Sequence, residues 1–448
     1  MKKLYRFSAI ALLVLPLVFT SCSDYLDRDD DDNITEADVF ARYEKVNGLV
    51  SDVYAAAKKA DRPLVFFEHF SNSAITDECE GTNVEGNITN NFNNGAWNPN
   101  SLPGSVGQYW EALYEGIRKA NLIIENVQKY NTPDNPQQDG DLRNRIGEMY
   151  FMRGYFHMLL LRMYGEAPYI DRVINAGDNM DFKKESVHSM VEKIVTDAQT
   201  AYGMVPNKYV KTSENFGRVD KGACLGLISF VRWVAATPLW NGASQYGYNL
   251  RRVFENEYAY DATRWRKAKE AAKAVLDFEV GGTKRYSLYT KHDANDFKDP
   301  ADGNLNDSRV YARLWDMFYD MDAFANEYVF FMTKSKDQAW QGDIYPPSRE
   351  GSSRQQPVQE QVDEYEYIVG DYGYPVYSAE ARKGGYDDTN PYVKGTRDPR
   401  FYRDVIYHGA PYRNNKNESK TINTASGSDK IGATNATTTG YYLRKFQQ

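Results

Sequence analysis

Apolar positions along the first half of this chain recur at helical spacing. Val39, Tyr43, Val46, Leu49, Val50, Val53 and Tyr54 form one such stripe. Trp110, Leu113, Tyr114, Ile117, Ile124 and Val127 form a second, broken once by Asn121. Residues three and four apart share one face of a helix, so each stripe predicts an amphipathic helix with that face against a core. A third helix is expected from about Leu142 to Tyr164. Its second half, Tyr155 to Met163, is apolar on nearly every side and should be enclosed by neighbours. Gly165 and Pro168 end it. Further helices are expected over Ser186–Tyr202, Lys221–Thr237 and Trp265–Phe278, the last closed by Gly281-Gly282.

Between and after these helices the periodicity fails. Asn72 to Pro103 is rich in Asn and Gly around a single Trp97, and Asp293 to Gly440 holds little helix beyond Val310–Phe324. Short strands are expected at Glu327–Thr333, Val405–Tyr407 and Gly440–Phe446. Long irregular loops in a compact domain are usually functional or disordered. These carry too many aromatics to be simply disordered. The pattern predicts a mostly all-α fold: tetratricopeptide-like stacked helix pairs with small contact residues, long irregular loops and a few short strands. No clean 34-residue repeat is present.

The N-terminus changes the picture. Lys2, Lys3 and Arg6 precede an uncharged apolar run from Phe7 to Thr20, then Ser21 and Cys22. The run fits a signal peptide and falls short of the roughly 18–20 residues that span a bilayer. A small residue directly before Cys is what lipoprotein signal peptidase requires, although Phe19 stands where Leu is more usual. Residues 1–21 are expected to be removed and Cys22 acylated, with 22–38 as an acidic tether that includes Asp29 to Asp32. An ordinary secretory signal ending near a Cys is the alternative. Removal shifts the net charge from −8 to −11. Such an acidic body has no electrostatic footprint for nucleic acid.

Composition adds two points. Aromatics are 14% of residues, with 35 Tyr against 21 Phe, at a mean hydropathy of −0.67. Tyr and Trp pair an apolar face with a polar edge and suit half-wet surfaces such as a sugar-binding face. Beyond Cys22, Cys79 and Cys224 could form one disulfide, but Cys224 lies among Ala223, Leu225 and Gly226 and reads better as a buried inert thiol. The five histidines show no zinc spacing, and no metal or cofactor is expected. There is no nucleotide-cradling glycine loop, zinc-binding His-Glu helix or serine elbow. Asp299 to Gly303 reads as a turn rather than a calcium loop. Acid pairs such as Asp77 with Glu78 or Asp320 with Asp322 arise readily by chance among 62 acids. The chain reads as a binder rather than an enzyme.

Three segments together resemble the SusD/RagB family of nutrient-binding lipoproteins. They are Cys22-Ser-Asp-Tyr-Leu-Asp27, the helix from Tyr150 ending in Tyr164-Gly-Glu-Ala-Pro168, and Gln356-Pro-Val-Gln-Glu-Gln-Val-Asp363 followed by Thr396-Arg-Asp-Pro-Arg-Phe401 and Gly440-Tyr-Tyr-Leu-Arg-Lys-Phe446. The resemblance implies a tetratricopeptide-like scaffold over 39–290 and a loop-rich part over 291–448. It implies a lipid-anchored place on the cell surface of the outer membrane. It also implies delivery of an oligosaccharide or other nutrient to a TonB-dependent transporter of the SusC kind. Family members usually continue into a further helix pair, so the C-terminal part is expected to be incomplete. The same scaffold binding peptides or another nutrient, and a lipid-anchored polysaccharide-degrading enzyme, are the competing readings.

Sugar capture needs an aromatic plane for the C–H face of a pyranose and polar groups for its hydroxyl rim. Trp97, in a loop with Asn94 and Asn98, fits this, although it could instead tuck back onto the helices. Trp340 and Tyr345 are similar platform candidates, with Asp77 and Arg349 on the rim. Trp110, Trp265, Trp233 and Trp240 are expected in the core. Asp363 and the cluster Arg397-Asp398-Pro399-Arg400 are expected to hold loops through charge-assisted hydrogen bonds.

Overall fold

A computed structural model describes residues 35–60, 71–81, 88–98, 100, 104–131, 136–209, 214–242, 253–290, 314, 317–318, 320, 326–332, 342–393, 395–413 and 419–445. Cys22, Trp340, the acid pair's Asp322, the calcium-like turn at 299–303 and nearly all of the helix expected over Val310–Phe324 lie outside them.

Among the described residues, eight α-helices carry the N-terminal part: α1 (Glu36–Phe40), α2 (Tyr43–Ala60), α3 (Ile88–Asn93), α4 (Gly104–Tyr130), α5 (Pro136–Tyr164), α6 (Val187–Met204), α7 (Lys221–Ala236) and α8 (Ala262–Asp277). From α4 onward each long helix packs on the next, and α2 leans on both α4 and α5. The starts are written in the sequence. The side chains of Ser186, Asp220 and Asp261 accept from backbone N–H groups in the first turns of α6, α7 and α8. Thr35 and Asp38 form a reciprocal capping box on α1, so the expected tether already becomes helical there.

Small residues set the helix spacing, as expected for stacked pairs. A Cβ at Gly116 of α4 would lie 2.4 Å from the Phe156 ring of α5. The stretch Phe151 to Leu161 is buried throughout, which explains its lack of a polar face. Gly165 ends α5 at φ +70°, and a Cβ there would lie 2.8 Å from the Trp240 indole. The αL turn and the indole both require glycine at that position.

Asn121, the break in the α4 stripe, is buried and joins a polar network inside the stack. Its Nδ2 donates to the carbonyls of Ile170 (3.2 Å) and Arg172 (3.0 Å), and its Oδ1 accepts from Arg153 Nη1 at 2.9 Å. The chain leaving α5 is thereby pinned across α4.

The remaining described elements are short. They are α9 (Gln359–Asp363), α10 (Ala379–Lys383), α11 (Pro399–Asp404) and small antiparallel sheets. One sheet has the order β1 (Ile75–Thr76), β2 (Cys79–Gly81) and β5 (Gln355–Pro357). Pairs form between β3 (Glu279–Val280) and β4 (Thr283–Lys284), and between β6 (Tyr367–Val369) and β7 (Tyr372–Tyr374). Two more join β8 (Val405–Ile406) to β11 (Tyr442–Leu443), and β9 (Pro411–Arg413) to β10 (Ser419–Thr421). The strands expected near 405 and 442 are therefore present and pair with each other. The one expected from Glu327 is not: residues 327–330 turn and bend. Phe330 instead wedges edge-on against Phe151 (4.9 Å) and Tyr155 (5.5 Å).

Two tryptophans depart from expectation. Trp233 on α7 is 51% exposed and Trp265 on α8 is 43% exposed. An apolar groove of about 640 Å³ runs between α5, α7 and α8, with Tyr155, Leu227, Trp233, Leu276 and Phe330 in its walls. Helical periodicity marked the apolar face correctly, but whether a face is covered depends on its neighbours. Cys79 and Cys224 are both buried free thiols. Burial pushes Cys79 up to about 12 and Cys224 well above the ordinary thiol range.

Candidate carbohydrate-binding platform

The sheet β1–β2–β5 joins the two loop regions. Cys79, Glu80 and Gly81 pair with Pro357, Gln356 and Gln355, and Val358 N–H donates to the Glu78 carbonyl at 3.3 Å. Segments more than 270 residues apart thus share one small surface. Asp77 sits exposed at the turn between β1 and β2.

The Trp97 loop is tied to the same sheet. Asn93, the last residue of α3, donates through Nδ2 to the Ala74 carbonyl (3.2 Å) and to the Glu80 carboxylate (3.3 Å). The chain then leaves the helix by a Schellman-type turn. Gly95 lies at φ +65°, and Ala96 N–H donates to the Asn91 carbonyl at 2.8 Å. Two residues later Trp97 is 44% exposed, with its ring tilted on Phe92 at 5.4 Å. The ring packs on Phe92 of α3 and still keeps much of its surface open, so it lies against a helix without being buried by it. Asn94 and Asn98 are exposed beside it, and Asn98 Oδ1 accepts from the Asn100 N–H at 2.9 Å.

The second candidate group is mixed. Tyr345 is half-buried, and its carbonyl accepts from Ser353 N–H at 3.2 Å. A Cβ at Gly351 would fall on that carbonyl, so the loop closes tightly there. Arg349 is corrected: it is 6% exposed and faces inward, so it supports the loop and does not stand on a rim. It closes the loop's 3-10 turn, Pro347–Arg349, and its Nη1 donates to the Ser348 carbonyl at 3.5 Å.

Sequence reasoning missed the residues that clamp this loop. Gln356 is fully buried. Its Oε1 accepts from the Thr438 N–H (2.6 Å) and from the Thr437 hydroxyl (3.1 Å), while Nε2 donates to the Ser353 carbonyl (2.8 Å). Asp429 Oδ1 accepts from Ser348 N–H at 2.8 Å. Nothing in the local pattern marks either role. The expected loop-holding cluster does form. Arg397 is buried and donates from Nε to the Tyr365 carbonyl (2.8 Å) and from Nη2 to that of Val362 (2.6 Å). Asp398 caps α11, and the Arg400 guanidinium beside it holds its carboxyl below the ordinary range against the opposing effect of burial. Asp363 accepts from Gln359 Nε2 at 2.7 Å.

Among the described residues, no group of three or more His, Cys, Asp or Glu side chains is disposed to hold a metal ion. No described helix is long and apolar enough to cross a membrane.

Residues 24–231 match the SusD-like family described as starch-binding and associating with the outer membrane. A curated relative, SusD-like protein P2 of Formosa agariphila, is 24% identical over 202 residues, which is 44% of this chain and 38% of the relative. The N-terminal part of the chain is thus similar to the SusD-like family. Solved structures agree with this chain in fold. A SusD-like protein of Bacteroides fragilis superposes with a TM-score of 0.67 at 18% identity, covering 93% of this chain and 70% of that one. A SusD-like carbohydrate binding protein of the same species gives 0.65 at 13%, covering 92% and 68%. A laminarin binding SusD-like protein gives 0.52 at 16%, covering 90% and 72%.

Proposed function

We propose that this SusD-like chain captures a glycan at the cell surface through the Trp97 platform and hands it to a TonB-dependent transporter of the SusC kind. Acylated Cys22 would tether it to the outer membrane, and it would bind without cleaving. The observation that carries the reading is the exposed Trp97 ring, backed by Phe92 and fixed by the Gly95 turn to the β1–β2–β5 sheet. A flat, pre-positioned ring accepts the C–H face of a pyranose with little ordering cost. Asn94 and Asn98 supply polar groups beside it in the chain, Asp77 stands on the turn of the sheet to which this loop is tied, and Tyr345 lies on the loop that precedes β5.

The relatives support a carbohydrate. The family is described as starch-binding, and one structural neighbour is a laminarin binder. Acyl chains contribute about 0.8 kcal/mol for each buried methylene, which suits a tether. Electrophoresis of the purified protein in gels containing starch or laminarin tests capture. Retarded migration without new reducing ends is expected. New reducing ends would favour an enzyme, and unretarded migration in every glycan would contradict the proposal.

A further inference from the structure

A second pocket lies on the helical scaffold, built from residues that the loop platform does not use. It is a cavity of about 310 Å³ between α2 and the segments 214–218 and 331–332. Ligand pockets span roughly 300–1,000 Å³, so this one holds a small ligand. Phe216 and Phe331, 5.0 Å apart and inclined at 58°, form an aromatic corner continued by Met332. Ser51, Lys58 and Glu214 add polar side chains to its lining.

The walls are fixed from beneath. Glu148, fully buried on α5, accepts from the Tyr54 hydroxyl (3.0 Å) and from Arg218 Nη1 (2.9 Å). Val219 N–H donates to the Tyr54 hydroxyl at 3.0 Å, and Arg218 Nε donates to the Glu214 carbonyl at 3.0 Å. Gly217 turns the segment at φ +80°. The Phe216 side of the corner is therefore positioned before any ligand arrives.

We infer that this pocket is a second carbohydrate subsite that takes one pyranose unit. A sugar needs an apolar face and a rim that both donates and accepts. Phe216 and Phe331 supply the first; the Lys58 ammonium, the Ser51 hydroxyl and the Glu214 carboxylate supply the second. The larger groove between α5, α7 and α8 is almost wholly apolar and offers hydroxyls few partners, so it is the poorer sugar site. The inference rests on the glycan-capture reading and adds a second contact point, which would raise avidity for long chains.

Met332 provides a local reporter. The full chain with 13C-methyl methionine is titrated with maltohexaose and with laminarihexaose, while total binding is followed by calorimetry. Saturable movement of the Met332 methyl is expected in the wild type and in Trp97→Ala. It should weaken about tenfold or more in Phe216→Ala and in the surface double variant Lys58→Met/Glu214→Gln, which keeps the aromatic corner. A still Met332 methyl in a protein that binds either probe would overturn the second subsite and leave the capture reading standing. An unchanged Met332 titration in both variants would overturn it as well. Absence of heat with both probes would count against glycan capture itself, and the subsite would fall with it.

Discussion

Arg153 on α5 grips Asp197 on α6 through two parallel hydrogen bonds, 2.8 Å from Nε to Oδ2 and 2.5 Å from Nη2 to Oδ1, with both side chains buried. The Tyr169 hydroxyl donates to the same carboxylate at 2.6 Å, and Arg153 Nη1 reaches the Asn121 amide oxygen and the Asp171 carbonyl (2.8 Å). One guanidinium therefore ties α4, α5, α6 and the chain after α5 together. Removing a single partner strands a buried charge. Asp197→Ala should cost about 3–5 kcal/mol of stability. Replacing both by apolar residues, as in Arg153→Met/Asp197→Leu, should cost less than that single change. Urea unfolding of the three variants checks the order.

His157 sits in the same layer and has a fixed tautomer. Its Nε2 accepts from the Ile170 N–H at 3.0 Å, so Nδ1 must carry the proton that goes to the Arg153 carbonyl at 2.8 Å. Burial is the main cause holding its pKa down, to about 3. In the unfolded chain a histidine titrates near 6.5. The unfolded state therefore binds the extra proton first as pH falls. The stability from neutral His157 is complete above pH ~6.5 and is lost progressively from there towards pH 3. Each pH unit in that window costs about 1.4 kcal/mol. His188, also lowered by burial to about 4, acts in the same direction. Between pH 7.5 and 5, His157→Gln should lose about 2 kcal/mol less than the wild type. An equal loss in both would contradict the assignment.

Gly165 combines a left-handed backbone with a close indole. Gly165→Ala should destabilise by about 1–3 kcal/mol, through strain at φ +70° and displacement of Trp240. Gly177, at φ +95° but with open space around its Cβ position, isolates the backbone part. Thermal unfolding of Gly177→Ala should show a smaller loss than that of Gly165→Ala.

The helices were legible because each buries one stripe, and a stripe of period 3.6 survives in a single sequence. Asn121 looked like a flaw in its stripe, yet it is the amide that pins Ile170 and Arg172. Trp233 and Trp265 were misplaced because periodicity identifies an apolar face and says nothing of its cover. The β1–β2–β5 sheet left no pattern, since strands of two or three residues are too short to alternate and their partners lie far apart in the chain. The exposure of Trp97 was readable from its Asn- and Gly-rich surroundings. Arg349 was misread because a lone arginine in a loop carries no mark of facing inward, and the clamp made by Gln356 depends on Thr437 and Thr438, far along the chain, which its own segment does not encode.

The most direct test is calorimetric titration of maltohexaose and laminarihexaose into the wild type and Trp97→Ala, with folding checked by circular dichroism. Saturable binding to the wild type that weakens about tenfold or more in a folded Trp97→Ala protein is the expected result. Wild-type affinity retained in that variant would contradict the platform at the centre of this account.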